Sequence, residues 1–126
     1  MRKMKAPITE AQHQSTLIAW SQQPSIRQKY PDIKLLHHIP NGGSRNKIEA
    51  VNLKRQGVKA GVPDLHLPVP KGEHHGLYIE MKRADGGTLS PHQREWLKAL
   101  DGQGYKVAVC HGWEEAREVL ECYLRS

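Results

Sequence analysis

Apolar positions recur at helical spacing in four stretches of the chain, and each stretch begins at a residue suited to capping a helix. Thr9 and Ser90 each stand three residues before a glutamine, which is the pattern of a capping box. Pro91 adds a proline at the first helical position. Asn46 is a weaker cap, and the last stretch follows Gly112. These signals predict four helices, over residues 9–22, 46–57, 90–102 and 113–124.

Four shorter stretches between these helices favour β-strands. The stretch from Ile33 to Ile39 is apolar enough to be half-buried, and it ends at Pro40. In stretches 64–69, 77–82 and 105–109, apolar and polar residues alternate, as in a strand with one buried face. Residues 70–76 are a loop, so the second and third strands should form a hairpin. The predicted order is α-β-α-β-β-α-β-α, an α/β fold with a mixed sheet flanked by helices.

Length and composition favour one folded domain. A chain of 126 residues fits a single hydrophobic core, so we expect one domain over residues 9–126 after a tail of residues 1–8. No apolar stretch approaches the ~20 residues that span a bilayer, which argues against a membrane protein and a secreted precursor. Cys110 and Cys122 lack the spacing of a disulfide framework, so we expect a reducing, cytoplasmic setting.

Charge gives the first indication of a partner. Nineteen Lys and Arg against thirteen Asp and Glu give a net charge of +6, with a sequence pI near 9.5. Between residues 42 and 60 stand five basic residues and one acidic residue, so this stretch carries +4 of that charge. Basic side chains that contact phosphates release condensed counterions. The surplus therefore favours a nucleic-acid partner.

The third predicted strand carries the candidate chemistry. Glu80 and Lys82 are two residues apart and therefore project from the same face of a sheet, while the apolar residues between them take the other face. If the hairpin pairs as predicted, Asp64 lies beside Glu80. Two neighbouring carboxylates repel unless a proton or a cation lies between them, and oxygen ligands suit Mg²⁺ or Mn²⁺. The alternative is an ordinary solvated strand face.

At segments 61–64 (GVPD) and 79–82 (IEMK), the chain resembles the VRR-NUC domain, a virus-type replication–repair nuclease within the PD-(D/E)XK nuclease superfamily. The resemblance extends from Thr9 to Leu124. Further matching segments in chain order are 40–43 with Arg45, 53–57, 89–96 and 104–109. A bare P-D…E-x-K match is common by chance, whereas this ordered set is specific. The resemblance implies a restriction-endonuclease-like fold.

The resemblance also implies roles for individual residues. Asp64 and Glu80 would hold the metal together with the backbone carbonyl of Met81. Lys82 would contact the scissile phosphate and the attacking water. Glu10 matches an additional acidic residue that completes the site, either directly or through a water molecule.

Three of the candidate residues have structural alternatives. Gln93 matches a glutamine that faces the active site, yet it also occupies the third position of a capping box and can simply bond back to Ser90. Glu10 is a favourable first-turn residue on helix-dipole grounds alone. Tyr78 shares a face with Glu80, where it either lines the site or packs against its neighbours.

Residues outside the pair Asp64 and Glu80, which we call the acid pair, are candidates for contacts to DNA. The turn at Asn41 offers backbone N–H groups to phosphates, and the basic stretch after it can grip flanking phosphates. The alternative is that its charges are ordinary helix-surface charges. The candidate side chains in this stretch are Arg45, Lys54, Arg55 and Lys59.

The sequence thus predicts a Mg²⁺- or Mn²⁺-dependent DNA endonuclease, intracellular and encoded by a bacterium or phage. Small members of the family pair into homodimers and cut branched DNA such as four-way junctions, so we expect the same here. Two alternatives stay open: a non-catalytic DNA-binding module of the same fold, and an RNA-directed nuclease of the same mechanism.

Overall fold

Four helices begin at the capping residues found in the sequence. The structure, a computed structural model, describes residues 7–40 and 46–126. The backbone N–H of Gln12 donates to Thr9 Oγ1 (3.1 Å) and the Thr9 N–H donates to Gln12 Oε1 (2.9 Å), which closes the predicted capping box. Ser90 and Gln93 form the same box, and Asn46 Oδ1 accepts from the Glu49 N–H at 2.8 Å. The predicted helices are α1 (Glu10–Ser21), α3 (Lys47–Arg55), α4 (Pro91–Gly102) and α5 (Trp113–Arg125).

The strand predicted from Ile33 to Ile39 is wrong over most of its length. Two prolines start helical turns upstream, giving the short helix α2 (Pro24–Lys29), which was not predicted, and a 3₁₀ helix over Pro31–Leu35. Ile33 is buried from within the 3₁₀ helix, which explains the apolar signal without a strand. Only the two-residue strand β1 (His37–His38) remains of the prediction.

The described residues form a mixed sheet of four strands in the order β1-β2-β3-β4. The strands β2 (Leu65–Leu67) and β3 (Leu77–Lys82) pair antiparallel, which confirms the predicted hairpin, and β1 pairs antiparallel with β2. The strand β4 (Lys106–His111) pairs parallel with β3 after the crossover through α4. The fold is therefore the predicted α/β fold with helices on both faces.

The hydrophobic core lies between one face of the sheet and the helices α1 and α5. Leu65, Ile79 and Met81 on the sheet meet Leu17 of α1 and Leu120 of α5, and all five side chains are almost fully buried. Strand alternation then directs the other side chains of β3 to the opposite face, where α4 packs against β4. In the described parts of the chain, no helix is long and apolar enough to cross a membrane.

Candidate active site

The turn before β2 fixes the position of Asp64. Gly61 has φ +91° and lies so close to α4 that an added Cβ would stand 2.6 Å from the backbone carbon of His92, so only glycine fits there. Pro63 is fully buried directly after this turn. The loop that leads to Asp64 is thereby held against the first turn of α4.

Hydrogen bonds fix Asp64 at both its backbone and its side chain. The carboxylate oxygen Oδ2 accepts from the Met81 N–H at 2.7 Å. The backbone carbonyl of Asp64 accepts from the Ile39 N–H and from His38 Nδ1, each at 2.8 Å. Asp64 therefore joins the short edge strand β1 to the carboxyl-terminal end of β3, and its side chain has little freedom to turn away.

Glu80 stands beside Asp64, as the register of the hairpin requires. Leu65 pairs with Ile79, so the residue before Leu65 meets the residue after Ile79. Glu80 is only 3% exposed. Burial, a hydrogen bond with Asp64 and the charge of Asp64 together raise the pKa of Glu80 to about 9, against the lowering effect of Lys82. In the absence of a cation, Glu80 therefore keeps its proton at neutral pH.

Lys82 completes the group on the same strand face. Its Nζ lies 4.0 Å from Glu80 Oε2, and its side chain is 6% exposed. The alternative of a solvated strand face is therefore wrong, because both charged side chains are buried. Buried charges of this kind are retained in proteins only where they are paired or bind an ion.

Gln93 combines its two predicted roles. Its Oε1 accepts from the Ser90 N–H at 2.9 Å, which is the capping contact, and also from Lys82 Nζ at 3.0 Å. Its Nε2 donates to Glu80 Oε2 at 3.4 Å. The cap and the site contact do not exclude one another, because one amide oxygen has two lone pairs. The start of α4 is therefore joined directly to the group of Asp64, Glu80 and Lys82, which we call the acid–lysine group.

Glu10 lies at the edge of this group. It is the first residue of α1, its side chain is exposed, and its charge is the weakest of the causes that raise the pKa of Glu80. The helix itself is anchored by His13, which is 4% exposed and whose Nδ1 accepts from the Trp113 N–H at 3.1 Å. Glu10 is thus within electrostatic range of the acid pair.

The predicted DNA contacts are only partly described. Asn41 and Arg45 lie outside the described residues. Lys54 and Arg55 stand on the last turn of α3 and Lys59 follows it, all three exposed to solvent. None of the nine residues of α3 is buried, so this basic helix lies on the surface.

The arrangement fits a divalent cation held mainly by two carboxylates. No group of three or more His, Cys, Asp or Glu side chains able to hold a metal occurs among residues 7–40 and 46–126. However, Glu80 is buried beside the half-buried Asp64, and a dication between the two carboxylates would take the place of the proton on Glu80. A hard cation commonly uses one or two carboxylates and completes its shell with water and phosphate oxygens.

Comparisons with known proteins agree with this geometry. The profile of the VRR-NUC domain matches residues 8–114. A solved structure described as a VRR_NUC domain protein superimposes with a TM-score of 0.77 at 32% sequence identity, covering 95% of this chain and 91% of that one. Among curated proteins there is no significant match.

Proposed function

Because the chain belongs to the VRR-NUC domain family and has its nuclease fold, we propose that it is a divalent-metal-dependent endonuclease that hydrolyses phosphodiester bonds in DNA. The observation that carries this proposal is the group of half-buried Asp64 and buried Glu80 and Lys82 on one sheet face, in which Gln93 bonds to both Glu80 and Lys82. Burying these groups lowers the stability of the fold, and groups of this kind cluster at catalytic sites.

The proposed metal ligands are Asp64 and Glu80, with the backbone carbonyl of Met81 and with Glu10 at the rim. Mg²⁺ or Mn²⁺ suits this oxygen set. When bound, such an ion lowers the pKa of a coordinated water and neutralises charge on the phosphate. The hydrogen bond from the Met81 N–H to Asp64 orients that carboxylate before any ion arrives.

Lys82 and Gln93 have complementary roles in this proposal. The ammonium group of Lys82, held by Gln93 Oε1, places a fixed positive charge where negative charge grows on the phosphate during attack. Gln93 keeps that ammonium group in place without adding a charge of its own, since its amide is neutral. In this proposal, Lys82 also donates a hydrogen bond to the attacking water.

The proposed substrate is branched DNA, such as a four-way junction, cut by a homodimer. A symmetric junction presents two equivalent cuts, and a two-fold dimer presents two equivalent sites. Helix α3 offers a surface for pairing, because Ile48 and Val51 are 74% and 50% exposed there. Backbone phosphates beyond the cut would meet the basic residues Lys54, Arg55 and Lys59, together with Arg45 and the backbone N–H groups from Asn41 onward.

Cleavage of a labelled four-way junction tests the proposal. The wild-type chain should cut in Mg²⁺ or Mn²⁺ and not in EDTA. Glu80→Gln and Lys82→Ala should each lower the cleavage rate by at least about 1000-fold while binding to the junction in EDTA changes little. Lys98→Ala, an exposed lysine of α4 outside the site, serves as the control. Cleavage retained by both site variants, or seen in EDTA, would refute a metal nuclease at this site.

An RNA junction of the same sequence belongs in the same assay. Faster cleavage of the RNA than of the DNA would contradict DNA as the substrate and would favour an RNA-directed nuclease of the same mechanism. Binding of the junctions without cleavage of either would contradict the nuclease proposal and favour a non-catalytic binding module of the same fold.

A further inference from the structure

A row of four rings crosses the sheet on the same face as the acid–lysine group. It consists of His37 on β1, His66 on β2, Tyr78 on β3 and Tyr105 directly before β4, and we call it the aromatic row. His66 and Tyr78 stack in parallel with centroids 4.1 Å apart. His37 meets His66 edge-on at 5.3 Å, and Tyr105 meets Tyr78 edge-on at 5.2 Å. Contacts of this kind hold the rings in fixed positions.

Two rings of the aromatic row, His66 and Tyr78, lie directly beside the candidate active site, and Tyr105 lies further from it, at the level of Gly76. His66 is two residues from Asp64 and Tyr78 is two residues from Glu80, which is about 7 Å along each strand. The row and the acid pair therefore run side by side across β2 and β3, on one face. This separation is comparable to that between neighbouring phosphates of a nucleic-acid strand.

Tyr78 and Tyr105 are half-buried, so part of each side chain stays accessible to a ligand. The ring faces are occupied by one another, so a ligand meets ring edges and polar atoms rather than a stacking surface. His37 already uses Nδ1 as a donor to the Leu35 carbonyl at 2.9 Å, and Nε2 of His66 is buried. The tyrosine hydroxyls are therefore the groups that the row offers.

Neither of these hydroxyls has a hydrogen-bond partner in the described part of the chain. By contrast, Tyr123 Oη donates to the carbonyl of Val69. Tyr30 Oη also lacks a partner, but it is buried in the core. A protonated hydroxyl is a donor, and a phosphate oxygen can only accept.

We propose that the hydroxyls of Tyr78 and Tyr105 donate hydrogen bonds to the backbone phosphate next to the scissile phosphate, and thereby fix the register of the DNA strand in the site. This inference rests on the proposed nuclease function. The net charge of +6 favours a polyanion as the occupant of this surface. Contacts to phosphates position a strand without reading its sequence.

The variants Tyr78→Phe and Tyr105→Phe, alone and combined, test the proposal because they remove only the hydroxyl and keep the ring contacts. Tyr30→Phe is the matched control, since it removes a hydroxyl in the core. The Kd for a fluorescein-labelled four-way junction is measured by anisotropy in EDTA. The double variant should raise Kd and KM by three- to tenfold, with kcat in Mg²⁺ within twofold of wild type.

Two further measurements separate a phosphate contact from a structural effect. The slope of log Kd against log salt should not change, because a neutral hydroxyl releases no counterion. A neutral methylphosphonate next to the scissile phosphate should weaken binding by the wild type and not by the double variant. A smaller salt slope in the double variant than in the wild type would overturn the inference. An equal loss of affinity for the methylphosphonate substrate in both proteins would also overturn it.

The outcomes distinguish this inference from the proposed function. Cleavage by the wild type together with an unchanged Kd and KM in the double variant overturns the inference alone. Loss of affinity in the double variant with the expected methylphosphonate coupling, but no cleavage by the wild type, overturns the nuclease proposal alone. An equal loss of affinity in Tyr30→Phe also counts against a phosphate contact.

Discussion

At the scale of single residues, the acid pair destabilises the metal-free fold and is suited to binding a cation. Glu80 is almost fully buried next to Asp64, and the nearby charge of Lys82 favours its charged form. Asp64 and Glu10 both act in the opposite direction. Sites that hold like charges together in this way destabilise the fold without their ligand and are stabilised by it.

Replacement of Glu80 by glutamine should therefore stabilise the metal-free protein above pH 4.5. The pKa of Glu80 is raised to about 9 from an ordinary value of 4.5, so the folded state keeps a proton that the unfolded chain loses. Its contribution to stability is complete below pH 4.5 and is lost as the pH rises towards 9. A glutamine amide can donate to Asp64 at every pH. We expect Glu80→Gln to gain on the order of 2 kcal/mol at pH 8.

Urea unfolding at pH 4.5 and pH 8 in EDTA measures this difference. The wild-type free energy of unfolding should fall between the two pH values more steeply than that of the variant. Addition of Mg²⁺ at pH 8 should stabilise the wild type and leave the variant nearly unchanged. A variant less stable than wild type at pH 8 would mean that Glu80 is held as a carboxylate in the metal-free fold.

At the scale of elements, the site depends on how α1 and α5 meet. The first N–H of α5, at Trp113, has no cap from its own segment, because Gly112 has no side chain to offer. His13 of α1 supplies the acceptor from 100 residues away. Gly112 also donates to the Lys82 carbonyl at 2.9 Å, which joins the start of α5 to the end of β3. Helix α1, and with it Glu10, is thereby fixed relative to the site.

Loss of the His13 acceptor should cost about 1–2 kcal/mol of stability, because it leaves a buried N–H without a partner. His13→Leu tests this by thermal and urea unfolding. His13→Asn should recover part of the loss, since an amide oxygen can stand near the position of Nδ1. Equal stability of the leucine variant and the wild type would show that the contact contributes nothing.

The sequence was sufficient for elements that have local signals. Caps at Thr9, Asn46 and Ser90 fixed the helix starts, and strand alternation placed Glu80 and Lys82 on one face. The predicted strand at 33–39 was wrong because a buried isoleucine in a 3₁₀ helix has the same local hydrophobicity as one in a strand. The His13 cap and the aromatic row join segments distant in sequence, so no local pattern indicates them.

The burial of Glu80 and Lys82 also could not be read from alternation. A period of two assigns faces and does not say what covers them. The cover comes in part from Gln93, which the family resemblance had placed at the site but whose capping pattern alone does not indicate its contacts to both charged side chains. Capping residues next to a sheet therefore merit inspection for a second partner.

At the scale of the whole molecule, α3 presents an apolar surface with no partner in the described residues. Ile48 and Val51 are three residues apart and thus share a helix face, with basic residues at the end of the same helix. We expect two copies to pair through this face, so that each dimer carries two sites. Light scattering at micromolar concentration should give twice the mass of 14.3 kDa.

Ile48→Glu should convert the dimer to a monomer, because it buries a charge at the centre of the proposed interface. Ile8→Glu is the matched control: Ile8 is 54% exposed at the start of α1, so the same change there should keep the dimer. Circular dichroism should show both variants folded. The Ile48 monomer should nick one strand of a junction and lose paired cuts. A wild-type monomer, or a dimer unaffected by Ile48→Glu, would contradict pairing through α3.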